Sequence, residues 1–140
     1  MIKADVEVKL SASGAKKLDD SMKRALVITM YLLQDRIREE QVIPRDMGYL
    51  QGEKFYVDDR NWRRGKVNLV NEGPYARRLY YHPEYNFQHE SWVDGSGVQH
   101  GGNVNAQGLW FTLWQKGGYF EKEPQEIYEK VLAGILKGDI

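Results

Sequence analysis

The chain has 140 residues, a formal net charge of zero, 41% hydrophobic and 29% charged residues, and no cysteine. That length suits one domain with its own core, and the balanced composition excludes a disordered chain and any global pull toward nucleic acid or acidic membranes. Without cysteine, disulfides, thiolate nucleophiles and cysteine-based zinc sites are excluded.

Ile2 to Leu10 alternates apolar residues (Ile2, Ala4, Val6, Val8, Leu10) with charged ones (Lys3, Asp5, Glu7, Lys9). Period two with one charged face predicts a half-exposed antiparallel strand at a sheet edge. The same alternation is unlike a signal peptide, and no apolar run is long enough to span a bilayer. From Ala15 to about Val42 the period becomes helical. Leu18, Met22, Leu26, Met30, Leu33 and Ile37 form one stripe, with Ala25 beside Leu26, and charged residues cover the opposite face. Pro44 is expected to stop this helix, because the residue before a proline avoids the α region.

Residues 44–50 read as a loop. Glu53–Val57 and Lys66–Asn71 read as two strands, with Phe55 and Val57 facing Val67 and Leu69. Between them lies a long charged tip, with Gly65 in a positive-φ position at re-entry. Gly73-Pro74 breaks the second strand, and Tyr75–Tyr81 fits two helical turns sharing Tyr75 and Leu79 on an inward face, closed by His82-Pro83. His89 to Gly108 is poorly patterned and glycine-rich, as in loops that are functional or ordered by a partner. A helix dense in aromatics is expected to begin at Leu109–Trp114. After Gly117-Gly118, a final amphipathic helix starts near Pro124, with Ile127, Val131, Leu132, Ile135 and Leu136 as its apolar stripe. No internal repeat or linker divides the chain, so residues 1–140 read as a single domain.

Catalytic signals are sparse. His82, His89 and His100 fall in one region with Asp94 and Glu90, but without the i, i+4 spacing of a helical metal pair. Asp58-Asp59 and Glu121/Glu123 are paired carboxylates better explained as turn and helix-start residues. Ser91 and Ser96 lack a nucleophile-elbow context, and no phosphate-cradling glycine motif is present. The reading is therefore not an enzyme, with no catalytic residue, metal or cofactor. Arg60, Trp62, Arg63 and Arg64 at the hairpin tip form a small basic–aromatic cluster, an alternative reading as a DNA-associated protein.

The order of motifs is more informative. After the long helix come Ile43-Pro44-Arg45-Asp46-Met47-Gly48-Tyr49-Leu50, Phe55-Tyr56-Val57-Asp58-Asp59 and Arg64-Gly65-Lys66-Val67. The run from Gly73 to Phe87, centred on Tyr-Ala-Arg-Arg-Leu-Tyr-Tyr-His-Pro, follows, and then Asn105-Ala106-Gln107-Gly108-Leu109-Trp110. This series resembles the minor capsid or tail-completion proteins of tailed bacteriophages and prophages, relatives of head–tail joining (neck) proteins. The chain departs from the pattern at Met47, where threonine is usual, and at Val104, where proline is common.

The resemblance implies an α+β subunit. It has a long N-terminal amphipathic helix packed on a small curved antiparallel sheet with a long hairpin, plus short C-terminal helices. It implies a homo-oligomeric ring, commonly hexameric, in the virion at the head–tail junction, with assembly in the host cytoplasm. Its partners would be connector or adaptor and tail-tube or tail-terminator proteins, with no membrane, and non-specific contact with DNA in the lumen is left open. Tyr75, Arg77, Arg78, Tyr80, Tyr81, His82 and Asp46 would then be structural and assembly residues, with Arg77 or Arg78 pairing to Asp46 or Asp59.

Overall fold

The computed structural model describes residues 3–7, 19–44, 55–85, 87 and 89–138, with the backbone alone for residues 3–7, Pro74 and Tyr75. In chain order the regular elements are β1 (Lys3–Glu7), α1 (Asp20–Glu40), β2 (Phe55–Asp58), β3 (Asn68–Glu72), α2 (Pro74–Tyr80), β4 (Trp92–Val93), β5 (Gln99–His100) and α3 (Glu123–Leu136). Short 3-10 helices occupy Trp62–Arg64 and Trp110–Trp114. The class is α+β, with small antiparallel sheets.

Helix α1 begins where the Asp19 carboxylate accepts the Met22 backbone N–H at 2.9 Å, satisfying one of the donors a helix start leaves open. Of the expected stripe, Ala25, Leu26, Met30, Leu33 and Ile37 are buried and Met22 is half-buried, while Leu18 lies outside the described residues. The helix ends before Pro44, at Gln41, which takes a left-handed φ of 58°. That position usually goes to glycine or asparagine. A distant loop supports it: Asn105 N–H donates to the Gln41 carbonyl, Asn105 Nδ2 to the Glu40 carbonyl at 2.8 Å, and Val104 N–H to the Gln41 side chain. Gln107 N–H and Asn103 Nδ2 bond the carbonyls of Val42 and Ile43. The Asn103–Gln107 run thus satisfies carbonyls that the helix end and its exit leave open.

The larger sheet has the order β1-β3-β2, so among the described residues β1 is an edge strand, as its charge alternation predicts. In β2, Phe55 and Val57 are buried and Tyr56 and Asp58 are not, the expected period of two. In β3 the alternation fails, because Leu69, Val70 and Asn71 are all buried. Between these strands the tip is a turn of 3-10 helix that ends at Gly65 in the left-handed region, φ 76°.

The chain divides into two compact units, each built from three stretches: Met1–Asp5, Asp35–Tyr56 and Val70–Phe111 in the first, Val6–Gln34, Val57–Leu69 and Thr112–Ile140 in the second. The first has an aromatic core. The Tyr80 ring meets Trp110 edge-on at 4.8 Å and Phe111 at 5.9 Å, and Phe111 meets Phe55 at 5.8 Å. Arg38 donates to the Phe55 carbonyl and lies over its ring. In the second unit Trp114 stacks on Phe120, and its indole N–H donates to Glu123 at 3.0 Å.

Four expectations need correction. The inward face of α2 is Ala76 and Tyr80, both buried, while Leu79 is half-buried. The helix expected from Leu109 is a 3-10 helix over Trp110–Trp114, and its Gly117-Gly118 exit turns back on it. Phe120 N–H donates to the Leu113 carbonyl at 2.7 Å. In α3 the buried positions are Pro124, Tyr128, Val131 and Ile135, whereas Leu136 is 68% exposed. Tyr128 joins the buried stripe, while Ile127 and Leu132 are half-buried. Residues 92–100 carry the β4–β5 hairpin, too short for periodicity to reveal.

Candidate assembly surface

The Gly73–Tyr85 corner is built on Gly73, whose φ of 105° suits glycine, and on Pro74 in the first turn of α2. Tyr80 anchors it. Its phenol pKa is pushed up to about 12, by burial first and then by neighbouring Tyr81. The outward side carries Arg77, Arg78, Tyr81, His82 and Tyr85. Tyr81 packs edge-on against Tyr80 at 5.0 Å, yet is 56% exposed. His82 stacks on Tyr85 with centroids 4.6 Å apart, and the Arg78 guanidinium lies 6.0 Å from the centre of the Tyr85 ring. His82 Nδ1 donates to Glu84 Oε1 at 2.7 Å, and this bond holds the Glu84 carboxyl below its ordinary pKa. The corner therefore presents cations and ring faces on a fixed base. Asp46 and the Tyr75 side chain lie outside the described residues.

The β4–β5 hairpin is the second exposed feature. Asp94 organises its turn: one carboxylate oxygen accepts the Ser96 and Val98 backbone N–H groups, and the other accepts His100 Nε2 at 2.8 Å. The His100 bond, followed by those from Val98 and Ser96, lowers the Asp94 pKa. The Trp92 ring stacks on His100 at 4.3 Å, leaving Trp92, Val93 and Val98 exposed.

At the β2–β3 tip the four nominated residues separate. Arg60 folds back on Asp58 through Nε at 2.9 Å and Nη2 at 2.7 Å. The Arg63 guanidinium lies over the Trp62 ring at 5.4 Å, and Arg64 is exposed. Trp62 and Arg63 line a cleft of about 450 Å³ with Asp20, Lys23 and Arg24 of α1. Trp62 also lines an adjoining, mainly apolar space of about 360 Å³ with Arg24, Val27, Ile28 and Asp59. Some 40 positions separate these partners, so no local spacing announces the cleft. The spacing Arg24-Val27-Ile28-Tyr31 was a usable signal, since i, i+3, i+4, i+7 is a second helical stripe. Tyr31 closes it with a hydroxyl bond to Asp59 at 3.2 Å.

Three of the groups weighed for catalysis make hydrogen bonds within the chain. His89 Nε2 meets the Ala106 carbonyl at 2.9 Å, Ser91 Oγ accepts from Gln99, and Glu121 accepts the Gly117 backbone N–H. Among the described residues no group of three or more His, Asp or Glu side chains is placed to hold a metal ion, and no helix is long and apolar enough to cross a membrane. No protein-family model matches the chain, and no curated protein or solved structure matches it.

Proposed function

We propose that this chain is a structural virion protein of a tailed phage or prophage. It would form a homo-oligomeric ring at the head–tail junction, between the connector or adaptor and the tail tube or its terminator. The observation that carries this reading is the ordered motif run through Gly73–Phe87. Arg78, His82 and Tyr85 pack on one another, and with exposed Arg77 and Tyr81 they give a polar–aromatic surface, the composition favoured in protein interfaces. Support comes from β1 at a sheet edge and from Trp92, Val93 and Val98 exposed on the hairpin.

The test is sedimentation of the purified protein across concentrations, followed by electron microscopy alone and with connector or tail-tube proteins. Rings are expected. A monomer at every concentration, with no ring in any mixture, overturns the reading.

The alternative, contact with DNA through the β2–β3 tip, is favoured by Trp62 and Arg63 lining one cleft with Lys23 and Arg24. Asp20 and Asp59 line the same region and oppose phosphate. This alternative predicts binding that falls steeply with salt and with Arg63→Ala; no binding at low salt removes it.

A further inference from the structure

The corner and the hairpin are not the most pointed of the exposed apolar features. The second stripe of α1, Arg24, Val27, Ile28 and Tyr31, faces the hairpin tip and leaves a half-open apolar slot of about 360 Å³. That volume lies at the lower end of binding sites generally, roughly 300–1,000 Å³. Lys23, Arg24 and Arg63 rim the slot and the cleft beside it against two carboxylates, Asp20 and Asp59. Asp59 is already engaged by the Tyr31 hydroxyl. A fitting occupant is an apolar ring flanked by negative charge.

The same chain carries such a group. Tyr119 is 85% exposed, the most open large hydrophobic side chain among the described residues. Its turn is held by several contacts: the ring packs edge-on against Phe120, Phe120 stacks on Trp114, and Glu121 accepts the Gly117 N–H. The stretch 119–126 carries Glu121, Glu123 and Glu126 against the single cation Lys122. Glu121 and Glu126 are exposed. A pre-ordered tyrosine loses little freedom on docking and pairs well with tryptophan and arginine.

We propose that Tyr119 of one copy seats in the Trp62–Val27–Ile28 slot of the next, with Glu121 and Glu126 toward Lys23, Arg24 and Arg63. Knob and slot are different surfaces, so the contact is heterologous and adds copies head to tail, as a closed ring requires. The proposal rests on the ring-forming reading and specifies one of its interfaces.

The experiment compares sedimentation of the full chain with Tyr119→Ala, Trp62→Ala and an equal mixture of the two. Each variant should associate at least about tenfold more weakly than the unchanged protein. The mixture should form dimers and stop there, because only one intact knob meets one intact slot. Arg24→Glu, an exposed change, stands in as the slot variant if Trp62→Ala fails to fold. If the unchanged protein assembles and every variant assembles equally well, this interface is wrong and the ring reading survives. If the unchanged protein is monomeric throughout, the ring reading falls first. Binding of a short oligothymidylate that Trp62→Ala abolishes, with assembly unaffected, would give the slot to nucleic acid and overturn the proposal.

Discussion

The indole N–H of Trp110 donates to the side-chain oxygen of Asn71 at 2.9 Å, and both residues have no exposure to solvent. The bond ties the end of β3 to the aromatic core containing Tyr80 and Phe111. A buried polar group without a partner costs more than a made bond contributes, so the two residues should behave as a unit. Asn71→Leu should lower unfolding stability by about 1–3 kcal/mol by leaving the indole unpaired. With Trp110→Phe added, the combined loss should be smaller than the sum. Urea denaturation of both single variants and the double variant checks this, and strict additivity would refute it.

Backbone approach makes two glycines irreplaceable. A Cβ on Gly108 would lie 2.6 Å from Pro83 Cα, and one on Gly118 would collide with the Thr112 and Leu113 carbonyl oxygens. Alanine at either position should cost roughly 1–3 kcal/mol or more, since backbone must move to admit it. Gly95 faces open space without a positive φ, so Gly95→Ala should stay within about 0.5 kcal/mol of the unchanged protein. Chemical denaturation midpoints that fail to separate these variants would refute the account.

The asparagines at the end of α1 should differ by burial. Asn103 is buried and bonds the Ile43 carbonyl at 2.7 Å, whereas Asn105 is exposed and bonds the Glu40 carbonyl at 2.8 Å. Asn103→Ala should cost about 1–3 kcal/mol, because water cannot readily replace the lost donor. Asn105→Ala should cost well under half of that. Equal losses in thermal or urea melts would show that burial does not govern this junction.

The hairpin carries a pH dependence whose sign is fixed by Asp94. Its folded pKa is depressed by His100 and two backbone N–H groups, so the stabilisation is present above the unfolded pKa. It is lost as pH falls through the folded value. The amide resonances of Ser96 and Val98 should therefore titrate together, below the ordinary carboxylate range, and Asp94→Asn should remove the transition. A midpoint at or above the ordinary aspartate value would contradict the geometry.

Much of the fold was legible because it rests on local rules. The α1 stripe, the Phe55/Val57 alternation, the positive φ at Gly65 and the break at Gly73-Pro74 each follow from side-chain period or backbone freedom within a few residues. The α+β class followed from those elements together with the family resemblance. Tertiary structure decided what no window of sequence contains. Asn103 and Asn105 reach back some 60 positions to the end of α1 and its exit, Tyr128 rather than Leu136 is buried in α3, and Trp62 lines one space with Arg24 and Val27. Periodicity reports which face of an element is apolar; which distant group satisfies an open carbonyl or completes a cleft depends on where the chain returns.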